Sequence, residues 1–76
     1  DNEGALKAIE ASEAKESAEG YYLKAVIGAR TANNDLMNNN LKSAIAKDAS
    51  LKTKAMNDVE FLKYRMDAEF IALFAN

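Results

Sequence analysis

The side chains able to do chemistry are few. They are carboxylates, lysines, two arginines, three tyrosines and scattered hydroxyls, with no histidine and no cysteine. That inventory excludes His-based acid–base catalysis and Ser–His or Cys–His dyads. Zinc and haem lose their usual ligands, so no cofactor is expected. Two carboxylate pairs stand out, Asp58/Glu60 and Asp67/Glu69. Two residues apart on a helix they do not share a face, and each suits a capping Asp followed by a Glu that favours the positive helix end. The asparagine-rich stretch Asn33–Asn40 lacks the ligand order and distal Glu of an EF-hand loop, which leaves helix capping as its role. No Gly-rich phosphate loop or dinucleotide fingerprint occurs. The chain is expected not to be an enzyme.

What remains is recognition. The net charge is −2, distributed as −4 over residues 1–20, +4 over 21–56 and −2 over 57–76. The basic middle carries Lys24, Arg30, Lys42, Lys47, Lys52 and Lys54. It reads as a solvated surface with lysines near helix C-termini, or, more sharply, as a docking surface for an acidic peptide or protein. Nucleic acid is not expected, because the chain is acidic overall and these cations lack interleaved exposed aromatics.

Elements must position these groups. Seventy-six residues make one small domain or a fragment of a larger one. Fifteen alanines, three glycines and no proline favour helix over strand and turn, so the fold class is all-α. A first helix spans Asp1–Ser12, with Ala5, Leu6, Ala8 and Ile9 at helical spacing, and a turn follows near 13–17. One continuous helix over 3–31 is the alternative. A second helix runs from Ser17 to Thr31 with a broad apolar arc of Tyr22, Leu23, Ala25, Val26, Ile27 and Ala29. The strip left over, Tyr21, Lys24, Gly28 and Thr31, is the sharpest candidate binding site, with Arg30 beside it. Lys24 would meet a carboxylate and Tyr21 would cover apolar groups. Gly28 would admit a ligand backbone, or would only relieve crowding between packed helices.

Asn33–Asn34–Asp35 turns the chain into a third helix over 35–47, with Met37, Leu41, Ala44 and Ile45 on the core face and Asn38, Asn39 and Lys42 on the other. Ser50 caps a short helix to Met56. A nine-residue repeat follows, Asp58–Val59–Glu60–Phe61–Leu62 and Asp67–Ala68–Glu69–Phe70–Ile71, each copy a short capped helix anchored by its Phe. Phe61, Leu62, Phe70, Ile71, Leu73 and Phe74 are expected in the core. No apolar run approaches the roughly 18–20 residues of a membrane span.

Residues 18–50, AEGYYLKAVIGARTANNDLMNNNLKSAIAKDAS, resemble one tetratricopeptide repeat. Tyr21–Tyr22 sits at the large aromatic of the first helix, and Ala25 and Ala29 at the small packing residues. Asn33–Asn34 falls at the turn, Leu41 with Ala44–Ile45 at the end of the second helix, and Asp48–Ala49 at the closing Asp-Pro. DNEGALKAIEAS resembles the second helix of a preceding repeat, and residues 51–76 the closing segment of bacterial tetratricopeptide proteins. The resemblance implies antiparallel helix pairs of a right-handed superhelix. Residues 1–16 would end one repeat, 17–49 form the next, and 50–76 supply C-terminal capping helices. It implies a scaffold that binds a protein or peptide partner, in the bacterial cell envelope. With Leu6 and Ile9 lacking an upstream partner, self-association of the isolated chain, to a homodimer, is also expected.

Overall fold

A computed structural model describes residues 1–75. Their regular elements are α1 (Asn2–Glu10), α2 (Ala18–Arg30), α3 (Asn34–Lys47), α4 (Ser50–Met56) and α5 (Ala68–Ala72), with 3-10 segments at Glu13–Glu16 and Val59–Tyr64. Among the described residues there is no strand, and the fold is all-α. No helix among the described residues is long and apolar enough to cross a membrane.

Side-chain chemistry decides where these helices start and stop. Asp1 caps α1, its Oδ1 accepting from the Gly4 N–H at 2.6 Å. Ser12 and Ser17 then turn the backbone extended. Ser12 Oγ accepts from Ala14 N–H at 2.8 Å, and Ser17 Oγ accepts from Gly20 N–H at 2.9 Å while donating to Ala14 C=O at 2.7 Å. Satisfying the free donors of two successive helix starts fixes a break where the continuous 3–31 helix would have run. The turn expected near 13–17 is present as the 3-10 segment Glu13–Glu16, and α1 ends at Glu10, two residues short of the expected Ser12. The two turns are so close that a Cβ on Gly20 would collide with the Ala14 carbonyl oxygen.

The centre of the molecule is the pair α2/α3. A connection of three residues, 31–33, between two helices in extended contact returns the chain antiparallel. Its geometry is a Schellman end. Asn33 N–H reaches back to Gly28 C=O at 2.8 Å and Ala32 N–H to Ala29 C=O at 3.4 Å, with Ala32 in the left-handed region at φ 57°. The residue with positive φ is thus Ala32. Asn33 caps α3, as expected of the turn Asn33–Asn34–Asp35, by accepting from Leu36 N–H at 3.1 Å.

The core follows from this pairing. Ala25, Met37, Leu41 and Ala44 are fully buried between the two helices. Alanines on one helix opposite larger side chains on the other let the backbones approach. Packing, not propensity, holds α3, whose Asn40 and Ser43 side chains bond back to the carbonyls of Leu36 and Asn39. Leu51 and Ala55 of α4 close one side. Asp48, not Ser50, organises the start of α4: its Oδ1 accepts from both the N–H and the hydroxyl of Ser50.

Asn38 departs from expectation. It lies inside, 6% exposed, and neither Oδ1 nor Nδ2 has a hydrogen-bond partner among the described residues. A buried amide left unmatched costs about 1–3 kcal/mol.

Candidate functional site

The five residues singled out as a binding strip end in different surroundings. Lys24 is buried, 7% exposed, with its Nζ 3.2 Å from Glu10 Oε1 and 4.7 Å above the Tyr21 ring. Its charge ties α1 to α2 instead of facing solvent. Tyr21 is half-buried under that ammonium. Gly28 is buried too: a Cβ there would lie 2.5 Å from Met37 N and 2.8 Å from Met37 Cα. It serves the close approach of α2 to α3, the second of the two uses open to it. Thr31 is exposed, and its hydroxyl donates to the carbonyls of Ile27 and Gly28 at the end of α2. Tyr21, Lys24, Gly28 and Thr31 therefore do not form an open strip: Lys24 and Gly28 hold neighbouring helices, Tyr21 lies under the Lys24 ammonium and Thr31 bonds back to its own helix.

Arg30 is engaged from the other direction. Its Nε donates to Glu60 Oε1 at 2.9 Å and its Nη2 to Glu60 Oε2 at 2.5 Å. Such a two-pronged pair is geometrically specific. It is one of several bonds by which the first Asp-x-Glu-Phe copy grips α2. Tyr22 Oη donates to Asp58 Oδ2 at 2.6 Å, while Asp58 Oδ1 accepts from Glu60 N–H at 2.9 Å. Phe61 meets the Tyr22 ring edge-on at 5.7 Å, and Tyr64 Oη donates to Ala29 C=O at 2.9 Å. Asp58 thus caps its turn as expected and also receives a tyrosine thirty-six residues away. The second copy caps likewise, Asp67 accepting from Glu69 N–H at 3.0 Å. Phe70 continues an aromatic series, 5.8 Å from Phe61 and 4.9 Å from Phe74. The first copy winds as a 3-10 helix, not an α-helix.

This clasp makes stability depend on pH at both ends of the scale. The hydrogen bonds from Arg30 hold the Glu60 carboxyl below the usual carboxylate range. A depressed folded-state value contributes stability above the ordinary carboxylate pKa, and that contribution disappears as pH falls through the folded value. Burial first, then the bond to Asp58, push the Tyr22 hydroxyl far above its ordinary value. A raised value contributes fully below the unfolded tyrosine pKa and is lost as pH rises beyond it. The acid limb of a melting-temperature profile is expected to be shallower in Glu60→Gln and the alkaline limb shallower in Tyr22→Phe. Curves parallel to the parent's would count against both assignments.

With the strip closed, the open apolar surface lies elsewhere. Leu62 and Ile71, expected in the core, are 56% and 48% exposed. Met56, Val59 and Met66 stand out beside them. Met56 and Arg65 line two adjoining clefts, one of about 200 Å³ with Phe70, Ile71 and Phe74, the other with Val59 and Leu62. At the opposite end of the sequence, Ala8, Ile9 and Leu23 line a groove of about 260 Å³ bordered by Glu19. Sequence reasoning missed these surfaces. A 3-10 turn places side chains every 120°, so helical spacing misassigns its faces. No cluster of three or more acidic groups able to hold a metal occurs among the described residues.

No family model matches the chain. Neither a curated protein nor a solved structure is significantly similar to it.

Proposed function

We propose that the chain is a non-catalytic protein–protein interaction module, built as the C-terminal end of a tetratricopeptide-like helical scaffold. The observation that carries this reading is the set of large apolar side chains left outside a closed core: Met56, Val59, Leu62, Met66 and Ile71, all within sixteen residues. Contiguous exposed apolar surface marks interaction sites, and methionine and arginine are enriched in them. The scaffold part is supported by the antiparallel α2/α3 pair, its small-residue contacts at Ala25, Gly28 and Ala29, and the short segments 50–75 laid over it. The partner is a protein or peptide. The recognising surface is the exposed apolar one; of the five residues Tyr21, Lys24, Gly28, Arg30 and Thr31, Arg30 supports it by holding the 3-10 segment through Glu60.

A peptide library displayed on phage and panned against the full chain tests this. Recovered peptides are expected to lose most of their binding to Leu62→Asp, an exposed substitution that leaves helicity intact. Peptides that bind parent and variant alike, or a library that yields none, would overturn it.

A second reading, self-association without a separate ligand, is favoured by α1. That helix contains no buried residue, and its Leu6 and Ile9 remain half-exposed beside Leu23.

A further inference from the structure

Two separate surfaces, one in each half of the chain, carry complementary features. The turn between the 3-10 helix Val59–Tyr64 and α5 projects Met66, the most exposed large hydrophobic residue at 90%, with Arg65 next to it. The Arg65 side chain has no hydrogen bond or ion pair among the described residues. Its neighbours in sequence are already engaged: Asp58 by Tyr22, Glu60 by Arg30 and Asp67 by the start of α5. In the N-terminal part of the chain, the groove of Ala8, Ile9 and Leu23 is apolar and has one carboxylate on its border, Glu19, likewise without a partner among the described residues. Its surroundings, residues 1–20, carry −4.

The geometry points to a head-to-tail contact between copies of this chain, with Met66 of one copy seated in the Ala8/Ile9/Leu23 groove of the next and Arg65 paired to Glu19. Methionine is unbranched and polarizable, and fills an irregular apolar groove without demanding one shape. The groove volume, about 260 Å³, accommodates it. The ion pair sets direction and register, since reversing either copy would bring like charges together. Knob and groove are different surfaces, so the contact is heterologous. It leaves one groove and one knob free at the ends and allows growth beyond two copies. The inference rests on the self-association reading, and the experiment separates the two.

Light scattering coupled to size exclusion, over a range of concentrations, is the measurement. The parent chain is expected to show a mass that rises from 8.3 kDa with concentration and does not stop at the dimer. Met66→Asp removes the knob and Leu23→Asp spoils the groove. Each alone is expected to weaken association by about 30-fold or more, the range of a central interface residue. Each retains one good surface, so an equimolar mixture of the two is expected to form a closed 1:1 complex. Glu19→Arg and Arg65→Glu give a second, purely electrostatic version of the same exchange. Monomer throughout would overturn the inference and the self-association reading together. Association that survives Met66→Asp and Leu23→Asp would overturn this contact and leave self-association standing. Variants that stay monomeric when mixed would overturn the head-to-tail arrangement.

Discussion

Gly28→Ala is expected to destabilise the chain by about 2–3 kcal/mol, although the same exchange in an unhindered helix gains up to about 1 kcal/mol. The new methyl carbon would lie 2.5 Å from Met37 N and 2.8 Å from Met37 Cα. Those are backbone atoms of the opposing helix, so no rotamer change relieves the contact, and α2 and α3 must separate. Separation loosens Ala25, Leu41 and Ala44, which are fully buried at the same seam. A chain of this length carries roughly 4–11 kcal/mol of total stability at about 0.05–0.15 kcal/mol per residue, so the loss is a large fraction. Gly4→Ala is the internal control. Its Cβ meets nothing closer than Asp1 Oδ1 at 3.4 Å, so the helix-propensity gain should survive. Urea unfolding reads both, with a lower midpoint expected for Gly28→Ala and an equal or higher one for Gly4→Ala. A Gly28→Ala midpoint at or above the parent's would show that the two helices are not in contact there.

Phe61→Ala is expected to cost still more, about 3–5 kcal/mol, the usual range for truncating a buried aromatic side chain. Phe61 is 1% exposed and links two groups of rings, Tyr22 on α2 and Phe70 with Phe74 at the C-terminal end. Its loss removes apolar burial and also leaves Tyr22 and Phe70 facing a void that the surrounding elements fill only in part. Segments 57–75 are tied to the rest chiefly through this ring, the Tyr22–Asp58 bond, the Tyr64–Ala29 bond and the Arg30–Glu60 pair. Detachment of that segment is the expected consequence, visible as faster amide exchange there than in α2 and α3. Phe61→Leu, which keeps most of the volume, is expected to retain most of the stability. A loss below about 1 kcal/mol in Phe61→Ala would mean the segment is not seated on α2 as described.

The readings that held are local ones. Ser17 as the cap of α2, the Asx turn before α3, and Asp58 and Asp67 as caps each depend on one side chain and a backbone N–H two or three residues away. The core stripe Met37, Leu41, Ala44 was legible for the same reason, since 3.6-residue spacing makes one face of a long helix. Where elements were short, the spacing rule gave out. Leu62 and Ile71 were placed inside by helical periodicity, and a 3-10 segment and a five-residue helix turned them outward.

The strip on α2 failed for a different reason. Lys24, Gly28 and Arg30 carry the residue types of a recognition surface, and nothing within α2 distinguishes that role from helix packing. The partners that settle the matter are Glu10, Met37 and Glu60, which lie nine to thirty residues away. An ion pair or a backbone approach at that separation leaves no periodic trace along the chain. The sequence by itself determined that this protein is helical, where most of its helices begin, and that it lacks the histidine and cysteine of His-based acid–base and thiol chemistry. Which cations are buried, which glycine is irreplaceable and which apolar residues face outward were decided only by tertiary structure, because those properties depend on what the fold brings from far along the chain to each side chain.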